Sequence, residues 1–300
     1  MTEQIPITFD NDPIGASILE AITSGLYSDN LNCVREYVQN AIDARAKNIR
    51  ISYCNGGKDI EILDDGHGMD LSQLTDSLRV GYSEKKGEDI GWRGIGIWSG
   101  AAVCERIQIA TQTDVGDKLV MSIKCAPLTD TNRPPGDRSS AAEILRESLS
   151  EVRKEENDGN GGFTKITLMG IYGSLMEMFS PIKLSKFLER TVPMKYSEKF
   201  IPGKKIVKYL TQNGVKEPEA AIYVDKKELR KYPVDSSTIL PEPQFVEISH
   251  KGNKLAVAWF VGTNRNKRLK GGEITFRKSN FSYSRRSNWS WKEWNIRIFC

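Results

Sequence analysis

The sequence contains no apolar run that approaches the roughly 18 residues a membrane helix needs. Its opening stretch, MTEQIPITFDND, lacks both the basic start and the apolar core of a signal peptide. Five cysteines lie far apart, with no CxxC pair and an odd count. These absences argue against a membrane protein, a disulfide scaffold and a cysteine zinc site, and we expect free thiols in a cytoplasmic protein.

The composition that remains is that of an ordinary soluble globular protein, with 39% hydrophobic and 27% charged residues. A length of 300 residues favours two domains. Charge is divided unevenly, because residues 201–300 hold 20 Lys/Arg and 9 Asp/Glu whereas the first 200 hold 23 and 30. We therefore predict a mildly acidic N-terminal domain followed by a basic C-terminal one.

Helical patterns cover residues 14–26 and 31–47, and the second carries an unusual polar face. Glu36, Asn40 and Asp43 have the spacing i, i+4, i+7 and line up opposite the apolar face. Most amphipathic helices have a solvated polar face, which is the simpler interpretation. Such a face is usually rich in Lys and Glu pairs, however, whereas this one places a short amide between two acids.

The octapeptide LDDGHGMD (63–70) follows two alternating runs, 48–54 and 59–65, which Asn-Gly-Gly joins as a predicted hairpin. Three chemistries compete for it: a metal site, an acid/base pair and a nucleotide base pocket. Asp64, Asp65 and His67 have no second ligand cluster to support a metal, and the spacing fails the EF-hand pattern.

A base pocket fits this stretch better. A carboxylate at the end of a strand, Asp64, can accept a hydrogen bond from an exocyclic amine. Gly66 and Gly68 let the backbone pass close to a flat ring, and Met69 offers a polarizable side chain to lie against it.

A glycine-rich segment, GWRGIGIWSG (91–100), comes next and leads into an apolar stretch that can be a helix. Glycine-rich turns before a helix N-terminus present free N–H groups to phosphate. Alone, the pattern G-x-x-G-x-G is better explained by a plain loop, and it gains weight only from its order after the other two motifs. Further strands are predicted at 105–113, 117–125 and 163–169. Between them, residues 128–162 are predicted to be a surface insertion without chemistry, containing one helix that Ser140 and Glu143 cap.

Three motifs in this order resemble the ATP-binding signature of the GHKL superfamily, which contains DNA gyrase, the ninety-kilodalton heat-shock chaperones, sensor histidine kinases, MutL and the MORC ATPases. They are E-x-x-x-N-A-x-D-A (36–44), D-x-G-x-G-M (64–69) and G-x-x-G-x-G (91–96). FTKITL (163–168) is similar to the family's fourth element. The resemblance covers residues 14–170, and its first helix is most similar to the chaperone, MutL and MORC branches.

The resemblance implies an α+β fold. A Bergerat-type ATP-binding domain, a mixed sheet with helices on one face, would occupy residues 1–175 and include the insertion 128–162. A smaller, basic α/β domain similar to a transducer or middle domain would occupy residues 176–300. The chain ends in a strand-like run, WNIRIFC, and we expect a further C-terminal region because a domain seldom ends in such a run.

The resemblance also implies a role for each matching residue, with ATP and Mg²⁺ as cofactors. Glu36 would be the general base that activates water, Asn40 would coordinate Mg²⁺, and Asp43 would support the same region. Asp64 would accept from the adenine amino group, with Thr164 holding a water beside it. The remaining nucleotide contacts would come from the base pocket and from a lid over residues 79–96: Gly66, Gly68, Met69, Lys85, Gly91, Gly94, Ile95 and Gly96.

The second domain of such proteins delivers a Lys or Arg to the γ-phosphate. Lys267 and Lys270, in the loop NRNKRLKGG, are the candidates, although a solvated basic loop explains them more simply. Residues 261–300 also hold ten Lys/Arg interleaved with aromatic residues, a composition that suits nucleic-acid strands and equally suits core strands with basic outer faces.

Four classes of function follow. The favoured one is a Mg²⁺-dependent ATPase whose cycle drives lid closure and homodimerisation in a chaperone-like or MORC-like machine, acting on a protein client or partner subunit. The resemblance also allows a place in a bacterial multi-component system such as phage defence. The alternative is a nucleic-acid-remodelling ATPase of gyrase or MutL type. A histidine kinase is disfavoured because only His67 and His250 are present and neither precedes the nucleotide domain. A scaffold without catalysis is disfavoured by Glu36.

Overall fold

The structure is a computed structural model, and it describes most of the chain in twelve stretches. They are residues 14–23, 29–81, 95–130, 139–157, 159–214, 217–231, 238–239, 242–250, 253–259, 263–264, 272–275 and 296–299. Six helices lie within them: α1 (Ser17–Thr23), α2 (Asn32–Asp43), α3 (Leu71–Ser77), α4 (Ala141–Ser148), α5 (Pro181–Thr191) and α6 (Pro202–Gln212). Short 3-10 helices occur at Asn55–Gly57, Gly96–Ala102 and Ala126–Leu128. Within the described ranges, no helix has the length and apolar character that crossing a bilayer requires.

One mixed sheet of eight strands organises the fold. Its strands are β1 (Asn48–Cys54), β2 (Asp59–Asp64), β3 (Cys104–Gln112), β4 (Lys118–Lys124), β5 (Arg153–Glu155), β6 (Phe163–Ile171), β7 (Ala221–Val224) and β8 (Lys227–Glu228). Their spatial order is β5-β4-β3-β6-β2-β1-β7-β8. Only the pairing of β1 with β7 is parallel, and the other neighbours in this sheet are antiparallel. The expected α+β fold with a mixed sheet is therefore confirmed.

The two faces of the sheet differ because residues alternate along each strand. In register across five strands lie Met121, Ile109, Ile166, Ile62 and Ile51, all of them buried. On the opposite face the neighbouring row is polar: Ser122, Gln108, Thr167, Glu61 and Ser52. The apolar row joins one hydrophobic cluster with residues of the helices, including Leu19 of α1, Val34 and Val38 of α2, and Leu184 and Leu188 of α5.

The predicted hairpin is confirmed, since β1 and β2 pair antiparallel across the Asn55–Gly57 turn. The two predicted N-terminal helices are present. Helix α1 begins at Ser17, three residues later than expected, and its predicted end at 26 lies outside the described residues; α2 is shorter than expected. Helix α2 ends at Asp43, where the chain turns through Arg45 with a φ of 63° before β1 begins. This turn sets the end of α2 beside the loop that follows β2.

Residues beyond 175 also contribute to the sheet and its core. Helix α5 buries Leu184 and Leu188 in the cluster described above, and β7 extends the sheet by pairing with β1. Farther along, α6 packs near the hairpin of β10 (Gln244–His250) and β11 (Asn253–Trp259), with the rings of Tyr209 and Phe245 4.6 Å apart. Two further strand pairs join β9 (Thr238–Ile239) to β12 (Thr263–Asn264) and β13 (Gly272–Thr275) to β14 (Ile296–Phe299). A basic second domain over residues 176–300 stays a prediction.

The described part of the insertion 128–162, which omits 131–138 and 158, is not the surface excursion that the sequence predicted. Strand β5 extends the edge of the sheet beside β4, and α4 buries Ala141 and Ile144 in the core cluster. The predicted helix cap is confirmed, because Ser140 and Glu143 form a reciprocal capping box. The last residues of the insertion then lie against the loop 66–68, a contact that local sequence patterns do not reveal.

Candidate nucleotide-binding site

Helix α2 carries the first predicted group of site residues. Its buried side, which includes Val34, Val38 and Ala41, fixes the helix on the sheet. Glu36 and Asn40, one turn apart, are half-buried on the other side. In this arrangement Arg35 Nη2 donates to Glu36 Oε1 over 2.9 Å, so that the carboxylate already has a cationic neighbour. Asp43, the last residue of the helix, is also half-buried.

The third predicted motif meets this helix at Gly96, where the 3-10 helix begins. A Cβ built on Gly96 would lie 3.4 Å from Asn40 Nδ2 and 3.5 Å from Glu36 Oε2. Tyr37 holds the segment in place, because its hydroxyl donates to the Ile97 carbonyl and accepts from the Gly100 N–H, both over 3.0 Å. The backbone at Gly96 therefore faces both Glu36, the predicted general base, and Asn40, the predicted metal ligand.

Asp64 ends β2 and points to the core face of the sheet, where it is 6% exposed. In register beside it lie Thr164 of β6 and Thr111 of β3. One carboxylate oxygen accepts from the Gly66 N–H over 2.9 Å. Burial raises the pKa of Asp64 from 3.8 to about 6, while the hydrogen bond from Gly66 acts in the opposite direction. A buried carboxylate that is ionised at neutral pH is a strong acceptor for a ligand amine.

The loop after Asp64 is held by close backbone contacts on two sides. A Cβ on Gly66 would lie 2.8 Å from the Cβ of Ala44, at the end of α2. Gly68 has a φ of 67°, and a Cβ there would lie 1.8 Å from the Gln112 carbonyl oxygen. Glycine is required at position 68 because the backbone is left-handed and β3 leaves no room for a side chain.

Met69 and α3 complete the loop. Met69 is half-buried against the hydrophobic cluster, and its N–H donates to Thr111 Oγ1 over 2.9 Å. Helix α3 starts directly afterwards with a capping box between Asp70 and Gln73 and is anchored by the buried Leu74. The loop therefore has a fixed entry and a fixed exit.

Two residues that sequence reasoning missed support this loop. Thr111, fully buried, lies within hydrogen-bond distance of the Phe163 carbonyl and of Thr164 Oγ1 while it accepts from Met69. Asp65 accepts from the N–H groups of Lys47 and Asn48 and from the Asn48 side chain, each over 2.7 Å. Partial burial acts to raise the pKa of Asp65, but these hydrogen bonds outweigh it and lower the pKa. For Thr111, only the apolar alternation around it could have indicated that it is buried beside the site. For Asp65, the sequence carried no signal beyond the acidic side chain itself.

The donor set fits a magnesium ion shared with a ligand better than a metal site made by protein alone. Among the described residues there is no group of three or more His, Cys, Asp or Glu side chains that could hold a metal. Mg²⁺ keeps several waters and is usually bound through one or two protein oxygens plus phosphates. The Asn40 amide beside the Glu36 carboxylate offers such a partial set.

The other predicted site residues divide into two groups. His67 is exposed, with Nδ1 2.7 Å from the Gly68 carbonyl oxygen. Ile95 is buried immediately before Gly96. Five predicted residues lie outside the described part of the chain: Lys85, Gly91, Gly94, Lys267 and Lys270. The predicted site residues that the structure describes come from three separate motifs, 36–44, 64–69 and 91–96. They meet around the end of β2 and the side of α2 that carries Glu36 and Asn40.

Comparison with known proteins points to the same superfamily. Residues 27–152 match the sequence model of the family described as histidine kinase-, DNA gyrase B-, and HSP90-like ATPase. A DNA mismatch repair protein MutL from Dictyoglomus turgidum is 28% identical over 124 residues, covering 38% of this chain and 22% of that protein. A MutL from Clostridium perfringens is 33% identical over 101 residues, covering 30% and 15%. A chaperone protein HtpG from Porphyromonas gingivalis is 26% identical over 208 residues, covering 58% and 30%. The chain thus spans less than a third of each of these relatives.

Proposed function

Since residues 27–152 belong to the GHKL superfamily, we propose that this protein binds ATP together with Mg²⁺ and hydrolyses it at the site described above. Asp64 accepts from the adenine amino group, and Thr164 holds a water beside it. Gly66, Gly68 and Met69 border the base, and the Gly96 backbone lies along the phosphates. The observation that carries the proposal is the close approach of Gly96 to both Glu36 and Asn40.

Catalysis in this proposal depends on placement more than on covalent chemistry, as phosphoryl transfer to water generally does. Glu36 orients and deprotonates the attacking water. Asn40 would hold the metal, which would supply neutralisation of phosphate charge when bound. Arg35 orients the Glu36 carboxylate until water and nucleotide arrive, because the two side chains are paired over 2.9 Å.

Binding is tested by calorimetric titration of ATP into the wild type and Asp64→Asn at pH 7.5. We expect the variant to bind at least about tenfold more weakly, since an amide replaces the charged acceptor and one hydrogen bond to a charged group contributes about 1.5–3 kcal/mol. Asp117→Asn, the same change at an exposed position directly before β4, is the matched control and should bind as the wild type does. Equal affinity in Asp64→Asn would refute this placement of the base.

The larger cycle is also part of the proposal. ATP, and not ADP, closes a lid over residues 79–96 and brings two protomers together in a chaperone-like or MORC-like machine, with residues 1–13 crossing to the partner. A γ-phosphate gives backbone N–H groups a charged acceptor that ADP lacks, and only such differential affinity shifts a conformational equilibrium. Sedimentation of Glu36→Ala at tens of micromolar protein with saturating ATP and Mg²⁺ tests this step. A dimer supports it, and a monomer excludes it.

A second candidate function, ATP-driven nucleic-acid remodelling, is favoured by the similarity to two DNA mismatch repair proteins. In that function the basic residues 261–300 would contact the strand, and Lys267 or Lys270 would reach the γ-phosphate in either function. Stimulation of hydrolysis by single- or double-stranded DNA would favour this candidate. A rate that DNA leaves unchanged would favour the protein-directed machine.

A further inference from the structure

The end of the insertion, described at residues 157 and 159–162, packs directly on the loop that borders Asp64. A Cβ built on Gly162 would lie 2.7 Å from the Gly66 carbonyl oxygen and 2.9 Å from the His67 carbonyl carbon. On its other side, the same loop touches the β3 backbone at Gln112 through Gly68. The position of the loop 66–68 is therefore set jointly by the end of β3 and by the end of the insertion.

Two amide side chains join these supports to each other. Gln112, fully buried at the end of β3, donates from Nε2 to Asn157 Oδ1 and to the Gly161 carbonyl, each over 3.1 Å. Asn157 Nδ2 in turn donates to the carbonyls of Thr113 and Gly116, over 3.3 and 2.7 Å. Asn157 thus ties the insertion to both β3 and the turn that leaves it.

A third contact completes the connection. The Gly162 N–H donates to Asp114 Oδ1 over 2.8 Å, which fixes Gly162 on the same turn that Asn157 holds. The Gly159 N–H donates to Asn157 Oδ1 over 2.8 Å and closes the segment on itself. Moving either amide side chain would break these hydrogen bonds and leave buried polar groups without partners, which is costly. The arrangement is therefore held in one well-defined geometry.

We propose that Gln112 and Asn157 are positioning residues for base recognition, and that the insertion thereby helps to determine nucleotide specificity. The inference rests on the proposed ATP site and extends it to residues that make no contact with nucleotide. Its path is short: Asn157 holds Gln112 and the 113–116 turn, that turn holds Gly162, and Gly162 abuts the carbonyl of Gly66. The Gly66 N–H is the group that donates to the Asp64 carboxylate.

Loss of the connection lets the loop 66–68 move relative to Asp64. The loop meets α2 at Ala44, eight residues beyond Glu36 and four beyond Asn40, so both site residues keep their places on the helix. The exocyclic amine of adenine then meets an acceptor that is less well oriented. Binding of ATP and of ADP should weaken together, because both carry adenine. Turnover at saturating ATP should stay near the wild-type value, since Glu36 and Asn40 are unaffected.

The experiment compares the wild type with Asn157→Ala, with Gln112→Met, and with Gln108→Ala as the matched control. Gln108 lies on the same strand and the same face as Gln112, four residues earlier, and its cross-strand partners are Thr167 and Ser122. For Asn157→Ala we expect KM for ATP and Kd for ADP to rise roughly five- to tenfold, as one or two net hydrogen bonds would give. We expect kcat to change by less than about twofold. The ratio of kcat/KM for ATP to kcat/KM for GTP should fall. The control should match the wild type in all four quantities.

Asn157 is half-buried in a loop, so its replacement perturbs folding less than that of the fully buried Gln112. Unchanged KM, Kd and ATP/GTP preference in a folded Asn157→Ala protein would overturn the inference. A parallel fall in kcat and in thermal stability with no change in preference would also overturn it, because that pattern indicates a purely structural role. If the wild type binds no adenine nucleotide, the proposed function itself fails, which is a distinguishable result.

Discussion

Gly96 faces the side chain of Glu36 so closely that a Cβ built on the glycine would lie 3.5 Å from the carboxylate oxygen Oε2. This contact joins a residue of α2 to a glycine-rich segment sixty positions later in the chain. Tyr37, the neighbour of Glu36, is hydrogen-bonded to Ile97 and Gly100 of the 3-10 helix that begins at Gly96. A terminal phosphate bound along the Gly96 backbone would therefore lie next to Glu36 and Asn40.

Adding a methyl at Gly96 is expected to impair turnover more than folding. In Gly96→Ala the new methyl would sit at ordinary contact distances from Asn40 and Glu36, 3.4–3.6 Å, so the fold should accept it. The same methyl would crowd the Glu36 carboxylate and the Asn40 amide and change their orientation toward water and metal, and we expect kcat/KM for ATP to fall by about tenfold or more. Gly173→Ala, where a Cβ meets nothing within 4 Å, is the control. Similar kinetics in the two variants would show that the phosphate lies elsewhere.

Asp64 is expected to lower the stability of the nucleotide-free protein at neutral pH. Its pKa is 3.8 when unfolded and about 6 when folded, so the folded state binds the proton more tightly. Stability therefore falls as pH rises from about 4 to about 6. Asp64→Asn does not titrate and should raise the free energy of unfolding at pH 7.5 by on the order of 2 kcal/mol. That advantage should shrink at pH 4.5.

Urea unfolding at the two pH values measures this effect, with Asp65→Asn as the control. The pKa of Asp65 is lowered by hydrogen bonds from Asn48 and Lys47, which outweigh the opposing effect of burial. Asp65→Asn should therefore lower stability at pH 7.5, a change opposite in sign to that of its neighbour. If Asp64→Asn and Asp65→Asn both lowered the free energy of unfolding at pH 7.5, Asp64 would not be a buried carboxylate that carries its charge at a cost in stability.

Gly68 is expected to be the most demanding glycine of the loop. Gly68→Ala combines a φ of 67° with a Cβ placed 1.8 Å from the Gln112 carbonyl oxygen. Gly56→Ala shares the left-handed backbone, at 64°, but its Cβ meets nothing within 4 Å. The control should cost about 1 kcal/mol, and Gly68→Ala at least about 2 kcal/mol more, because the backbone of β3 has to shift. Equal costs in urea unfolding would show that the loop does not rest on β3.

The sequence predicted the parts of this site that have local signals. The face of α2 carrying Glu36 and Asn40 follows from helical periodicity, and Asp64 is marked by the end of an alternating strand before a glycine. The α+β class and most strands of the large sheet followed in the same way. Their boundaries shifted by a few residues, because capping and the turn at Arg45 end α2 earlier than its apolar pattern does.

The remaining parts depend on contacts between distant segments, which leave no local pattern. Thr111 looks like one more residue of a strand until β6 brings Thr164 beside it. Asn157 lies in a polar, glycine-rich stretch of the kind that usually forms an external loop, and only the fold sets it against Gln112. The role expected for Lys267 and Lys270 stays a prediction, as these residues lie outside the described part of the chain.

The most direct test of the account measures ATP binding and ATP turnover side by side in the wild type and Glu36→Ala, with Mg²⁺ at pH 7.5. We predict that the wild type hydrolyses ATP. We predict that Glu36→Ala binds ATP with an affinity within a few-fold of the wild type while its kcat falls by roughly 10²-fold or more, as expected for a lost general base. Turnover at the wild-type rate in Glu36→Ala, or no binding of ATP by the wild type, would contradict the account.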